Sequence, residues 1–80
     1  MSIMKIIGLR KTSFKPEDSK SEISGYNLYF TYSDEKVMGL AADRVFVKEE
    51  LLKGKKIVPG SDVHIWYNKW GKVDGVENVL

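Results

Sequence analysis

The sequence contains no cysteine, and it has only one histidine and two prolines in 80 residues. The absence of cysteine excludes disulfides and thiolate metal sites, and it fits a reducing compartment. No run approaches the roughly 18 apolar residues of a membrane-spanning helix, so we expect no membrane partner. The first residues lack the basic segment and the long apolar core of a secretion signal. We therefore predict a cytoplasmic protein.

The net charge of the chain is also small. Thirteen Lys and Arg against eleven Asp and Glu leave a net charge of +2, which is too small to establish a polyanionic partner by itself. With 42% hydrophobic residues the chain is too apolar for disorder. A chain of this length predicts one domain over residues 1–80, and it buries only about 60 to 65 per cent of its unfolded surface. A homodimer would enlarge so modest a core.

Catalytic and cofactor-binding patterns are missing as well. His64 has no cysteine and no carboxylates at ligand spacing around it, so we predict no metal site. Ser61 lies near His64 in sequence but belongs to no nucleophile motif. The glycines occur singly, which excludes a glycine-rich phosphate loop. We expect no cofactor and no enzymatic activity.

Alternation of apolar and polar residues predicts strands in the first half of the chain. Residues 24–32 place Tyr26, Leu28, Phe30 and Tyr32 at period two, the pattern of a half-buried strand. Branched residues over 3–9 predict a first strand that bends or bulges at Gly8. Residues 37–40 predict a third strand, and small residues at 41–43 lead into a further apolar strand at 44–47. The polar stretch 15–22 predicts an exposed loop.

The second half of the chain predicts a short helix and a hairpin. Residues 48–53 are strong helix formers, and Gly54 could end that helix. Pro59 and Gly60 mark a turn before an alternating strand at 62–68. Gly71 fits the left-handed position of a tight hairpin loop, and the closing strand runs over 72–79. A bulge at Gly75 would turn Val73 and Val76 to the same side.

Together these elements predict an all-β fold, a small five-stranded antiparallel barrel with at most one short helix. The pattern is compatible with an OB-like and with an SH3-like topology. Barrel closure would hide strand edges that otherwise invite aggregation. We assign Tyr26, Leu28, Phe30 and Phe46 to the core.

Aromatic and basic residues are the candidates for function. Proteins that hold single strands stack bases on aromatic faces and follow the backbone with Lys and Arg. Tyr29, Trp66 and Trp70 are the candidate stacking residues, because each lies on a predicted outward face or in a loop. The alternative is that they cover an end of the barrel or a dimer interface. The candidate phosphate contacts are Arg10, Lys11, Lys55, Lys56, Lys69 and Lys72.

Two resemblances accompany this pattern. The segments 25–30, 44–47 and 66–73 resemble small proteins of phages and integrative elements of Gram-positive bacteria, which implies no particular activity. The order and size of the strands, with Pro59-Gly60 leading into a hairpin strand, is similar to the single-stranded DNA-binding protein of filamentous phages. That resemblance implies a dimeric OB-like barrel that coats single strands with aromatic and basic side chains on a projecting hairpin. The acidic residues within 15–22 depart from it.

The sequence thus predicts non-catalytic binding of single-stranded DNA, with RNA as an open possibility, in the replication or transfer of a mobile element. The alternative is a protein-interaction or assembly module that uses the same aromatic surface. Salt separates the two, because only a phosphate-led complex weakens steeply as salt rises.

Overall fold

The computed structural model describes residues 3–15, 17 and 21–79. Five antiparallel strands form one sheet in the order β3-β2-β1-β4-β5. The described residues therefore confirm an all-β fold with five antiparallel strands. The strands, and the single 3-10 turn that interrupts them, are β1 (Met4–Phe14), β2 (Ile23–Ser33), β3 (Leu40–Lys48), the turn (Glu49–Leu52), β4 (Asp62–Tyr67) and β5 (Val73–Asn78).

The first two strands form a long hairpin. β1 runs five residues further than predicted, because its polar second half continues to pair with β2 as far as Phe14 opposite Ile23. Its register with β2 shifts between Ile6 and Gly8, which confirms the predicted irregularity at that glycine. The predicted loop at 15–22 joins the two strands. Residues 16 and 18–20 of it lie outside the described residues.

The third strand begins later and runs longer than the pattern indicated. Residues 37–39 belong to the turn region after β2, and β3 runs without a break from Leu40. The small residues Ala41 and Ala42 pair with Tyr32 and Thr31 of β2. The prediction of a separate strand at 37–40 was wrong. Residues 40–48 form one continuous strand, because Ala41 and Ala42 also pair with β2.

The predicted helix is a single 3-10 turn, Glu49–Leu52. The five helix-forming residues between the end of β3 and Gly54 are too few for a stable α-helix, since nucleation alone fixes a full turn. Gly54 has a φ of 74°, the left-handed conformation expected after a helical segment. Leu51 and Leu52 of this turn pack against the core.

The second hairpin follows the prediction closely. Ile65 of β4 pairs with Val76 of β5. The register then shifts, because Trp66 is opposite Gly75 and the next residue, Tyr67, is opposite Val73, which leaves Asp74 without a paired residue on β4. Val73 and Val76 consequently both pack into the core, as predicted.

The core lies on the concave side of this bent sheet. Its buried members come from every strand and from the segment before β4: Ile6, Leu28, Phe30, Val47, Ile57, Val63 and Val76. The assignments of Leu28 and Phe30 are confirmed, and Tyr26 packs against this cluster while partly buried. Phe46 does not belong to it. Because Val45-Phe46-Val47 is a continuous apolar run, its sequence does not show which of these residues face the core. In the structure Phe46 is paired with Asn27 and faces outward.

The two outermost strands, β3 and β5, approach each other without forming a ladder. The sheet is therefore bent but open. The gap between these edges contains a cleft, which opens beside the β4–β5 hairpin.

Candidate functional site

The convex face of β1, β2 and β3 carries both arginines of the chain. Tyr29, at the centre of β2, lies opposite Gly8 on β1 and Arg44 on β3. Arg10 is opposite the neighbouring Asn27. Directly paired side chains have Cβ atoms about 5 Å apart and diagonal ones about 7 to 8 Å. The register therefore brings Arg10 and Arg44 to opposite sides of Tyr29.

A missing side chain on β1 makes room for the tyrosine ring. A Cβ placed at Gly8 would lie 3.7 Å from Cδ2 of Tyr29, so the ring rests beside this glycine. Next to it, Asn27 Nδ2 donates a hydrogen bond of 3.3 Å to Thr12 Oγ1 across the two strands. The tyrosine is half-buried, which limits its motion and leaves part of its surface open to solvent.

Further along the same face, the rings of two phenylalanines are in contact. Phe14 and Phe46 meet edge to face, with ring centroids 5.5 Å apart and planes at 67°. Phe46 also lies over Gly25, since a Cβ there would stand 2.6 Å from Phe46 Cζ. This pair continues the face from Arg44 toward the end of β3.

The β4–β5 hairpin is ordered by one asparagine. Asn68 Oδ1 accepts the backbone N–H of Trp70 at 2.9 Å and that of Lys72 at 3.1 Å. Gly71 has a φ of 78°, which confirms the predicted left-handed position. At the tip, Trp70 is 73% exposed and Lys69 Nζ lies 4.7 Å from its ring centroid. The hairpin thus presents an aromatic and a cationic side chain to solvent on an ordered turn.

A cleft of about 670 Å³ joins the hairpin to β3. Lys48 at the end of β3 and Lys72 on the hairpin both line it, together with the carboxylates of Glu50 and Asp74. Its apolar lining consists of Phe14, Ile23, Val45, Phe46, Leu51, Tyr67 and Val73. Phe46 belongs both to the convex face and to the lining of the cleft. The cleft therefore connects this face to the hairpin.

The surroundings of Tyr67 alter its ionisation. Burial of its phenol raises the pKa above 10.0, and the nearby Asp43 carboxylate and the Tyr32 phenol raise it further. Folding therefore favours the neutral phenol. The resulting stability is present below pH 10 and is lost as the pH rises through the raised pKa.

We expect the ultraviolet titration of Tyr67→Phe to contain one phenolate fewer than that of the unchanged protein, and we expect the missing absorbance to lie above pH 10. The variant should also lose less stability than the unchanged protein in alkaline denaturation, since it has no phenol to ionise at this position. A difference between the two titrations that lies at or below pH 10 would contradict this assignment.

Other predicted site residues lie apart from this arrangement. Trp66 faces outward on β4 and is 43% exposed. Its ring covers Gly75, where a Cβ would lie 3.3 Å from Trp66 Cε3. Lys11 is exposed on β1 at the register of Tyr26, the side opposite to Arg10.

The two lysines before β4 differ in their surroundings. Lys55 Nζ binds the Val76 carbonyl and, at 2.9 Å, a Glu77 carboxylate oxygen. Its charge is already paired, so it is a poor candidate for a phosphate contact. Lys56 is exposed, but its backbone N–H and carbonyl are held by the Asn78 side chain.

His64 forms part of the outer surface of β4. It is half-buried, and its ring centroid lies 6.3 Å from that of Trp66. Its Nδ1 atom is buried and has no hydrogen-bond partner among the described residues. No group of three or more potential metal ligands occurs among the described residues.

Sequence reasoning missed three residues of the arrangement: Arg44, Phe46 and Lys48. The signal for Arg44 and Lys48 was their even spacing with Phe46 along one strand, which puts all three on one face. This spacing identifies an exposed face only once the buried face of β3 is known.

No protein-family model, curated protein or solved structure matches the chain. No helix among the described residues is long and apolar enough to cross a membrane.

Proposed function

We propose that this protein binds single-stranded DNA along a path that starts at Tyr29, crosses β3 and ends on the β4–β5 hairpin. We call this path the binding tract and define it by Arg10, Tyr29, Arg44, Phe46, Lys48, Lys69, Trp70 and Lys72. The observation that carries the proposal is the position of both arginines beside one half-exposed tyrosine.

The chemistry of the tract suits an unpaired strand. Each base exposes a flat face, and stacking on an aromatic side chain contributes about 1 to 3 kcal/mol per base. Tyr29 and Trp70 offer such faces at the two ends of the tract. Cations flank them, with Arg10 and Arg44 beside Tyr29 and Lys69 beside Trp70. Each end of the tract therefore offers an aromatic face for a base with a cation beside it for a phosphate.

The architecture supports an OB-like barrel over an SH3-like one. An OB-fold is a five-stranded, partly open barrel that binds oligonucleotides on the face of its second and third strands, between the loops that join strands 1 and 2 and strands 4 and 5. Here the tract occupies the convex face of β2 and β3, and the β4–β5 hairpin lies beside the cleft at one end of it.

The test is the affinity for an end-labelled oligothymidylate, followed by fluorescence anisotropy at low and moderate salt. Removing the ring with Tyr29→Ala should weaken binding roughly 5- to 150-fold, the equivalent of one stacked base. Tyr29→Phe keeps the ring and should bind as the unchanged protein does.

The control is Met38→Ala, which alters a fully exposed apolar side chain in the β2–β3 turn region, outside the tract. Equal affinity for Tyr29→Ala and the unchanged protein would overturn the proposal. Binding that ignores salt would instead favour the protein-interaction alternative, and an oligouridylate arm compares RNA with DNA in the same assay.

A further inference from the structure

We propose that two copies of this chain form a dimer by pairing the open edges of their β3 strands, antiparallel and centred on Ala42. This dimer joins the two sheets into one. The inference goes beyond the proposed binding of DNA and does not depend on it. Three observations support it: the edge of β5 is covered, the first half of β3 is open, and the sequence of that half is complementary to itself.

The sheet edge formed by β5 is covered by the segment that precedes β4. Lys55 Nζ donates a hydrogen bond to the carbonyl oxygen of Val76. The Asn78 side chain bonds both the backbone N–H and the backbone carbonyl of Lys56. These contacts lie along the outer side of β5 in its second half, so this part of the edge is closed to another strand.

The sheet edge formed by β3 directs free backbone groups outward. The Arg44 N–H donates to Oδ1 of Asp43 at 2.7 Å, so this N–H points away from β2. Because inward and outward groups alternate along an antiparallel strand, Leu40 and Ala42 also direct their N–H and C=O groups away from β2. Among the described residues, no hydrogen bond outside the strand ladders uses the N–H groups of Leu40 and Ala42. They are donors for a neighbouring strand.

The first half of β3 also carries few of the features that protect sheet edges. Natural edges are blunted by lysine, by proline or by a bulge. Residues 40–43 contain no lysine and no proline, and their register with β2 is unbroken. The carboxylate of Asp43, which covers one N–H, is the exception. Leu40 is 64% exposed, and the small side chains of Ala41 and Ala42 let another strand approach closely.

Charge selects one register for pairing between two copies. In a two-fold antiparallel pair that continues the sheet, opposite residues lie on the same face, so the axis passes through one residue. An axis at Asp43 or Arg44 places like charges directly opposite each other, which is destabilising. An axis at Ala41 gives a shorter ladder, because β3 begins at Leu40. An axis at Ala42 pairs Ala42 with the partner's Ala42, Leu40 with the partner's Arg44 and Ala41 with the partner's Asp43.

The side chains of this register explain why the occupant is a second copy. Each exposed Leu40 lies opposite the partner's Arg44, whose aliphatic stem can cover it while the guanidinium stays in solvent. At the centre, alanine meets alanine, so the two backbones can approach without a clash. Pairing also enlarges the buried surface of a chain of 80 residues, in which a single core is small.

The first test is sedimentation velocity of the full chain, without DNA, over a series of protein concentrations. We expect the fraction of dimer to rise with concentration. Ala42→Pro removes one ladder donor from each copy, and an edge strand tolerates proline where its N–H faces solvent. The dissociation constant of the dimer should rise about 5- to 150-fold, the effect of two lost hydrogen bonds.

A second variant keeps the test valid if circular dichroism shows that Ala42→Pro does not fold. Ala42→Lys places two like charges directly opposite each other and should raise the dissociation constant about 5-fold. Its matched control is Val58→Lys, which adds the same charge at an exposed apolar residue outside β3. We expect Val58→Lys to dimerise as the unchanged protein does.

The register is tested by a disulfide, because the chain contains no cysteine of its own. Directly paired residues have Cα atoms about 5.5 Å apart, a separation that a disulfide can span. Ala42→Cys should therefore form a covalent dimer on mild oxidation. Lys48→Cys is the control, since this exposed residue lies at the far end of β3 and its two copies are remote from each other in this register.

Three outcomes overturn the inference. A protein that stays monomeric at every concentration has no such interface. A dimer that Ala42→Pro or Ala42→Lys does not weaken uses another surface, and equal cross-linking of Ala42→Cys and Lys48→Cys refutes the register. None of these results bears on the binding tract, because no DNA is present, and failure of the oligothymidylate to bind would leave the dimer intact.

Discussion

Replacing Gly25 by alanine is expected to lower the free energy of unfolding by about 3 kcal/mol, the upper end of what overpacking costs. An added Cβ would collide with the backbone carbonyl oxygen of Val47 and would stand 2.6 Å from Phe46 Cζ. The phenylalanine ring could move aside. The carbonyl cannot move easily, because it belongs to a strand whose pairing with β2 is continuous from Leu40 to Lys48.

A loss of this size matters in so small a domain. Native stability is roughly 0.05 to 0.15 kcal/mol per residue, or about 4 to 12 kcal/mol for this chain. The midpoint of thermal unfolding, followed by circular dichroism, should fall by roughly 12 to 24 °C. Phe46 would also leave its place beside Phe14, so the variant should lose part of the tract.

Gly8→Ala is the matched control. It is the same substitution on the neighbouring strand, but the nearest atom to the new Cβ is Tyr29 Cδ2 at 3.7 Å, an ordinary contact distance. We expect its midpoint to stay within a few degrees of the unchanged protein. Equal destabilisation by the two variants would mean that glycine in a strand, and not the contact with Val47 and Phe46, sets the effect.

The sequence predicted the fold well where one residue type determines the geometry. The alternation around Leu28 and Phe30 identified β2 and its buried face, and Gly71 identified the hairpin turn. The bulge before Gly75 followed from the need to bury both Val73 and Val76. In each case the information is local, because a turn conformation or a period of two is visible within a few residues.

The site was less predictable, because it depends on register between strands distant in sequence. Arg44 lies opposite Tyr29 only through the pairing of β2 with β3, which no local pattern specifies. Lys55 looked like a free cation, yet it is held by Glu77 and Val76, more than twenty residues away. A cluster of basic residues in the sequence therefore includes cations that are paired in the folded protein, as Lys55 is. It also misses cations from separate strands that strand pairing brings close together, as Arg10 and Arg44 are.

The double variant Arg10→Ala/Arg44→Ala should show the largest loss of binding. Each arginine that contacts a phosphate contributes about 0.7 to the slope of log affinity against log salt for a single strand, so the slope should fall by about 1.4. Charged hydrogen bonds of this kind contribute at least about 1.5 kcal/mol each, and the two losses together predict roughly 100-fold weaker binding at low salt. The measurement is the affinity for oligothymidylate over a series of salt concentrations.

The control for this prediction is Lys36→Ala/Lys53→Ala, which removes the same two positive charges from exposed residues outside the tract. If binding depends on the net charge of the protein, both double variants lose the same slope and the same affinity. If the strand follows the tract, the lysine variant keeps nearly the full slope, because charges that touch no phosphate release no counterions. Equal losses in the two variants would refute the tract even though the protein bound DNA, since the arginines beside Tyr29 would then have no special role.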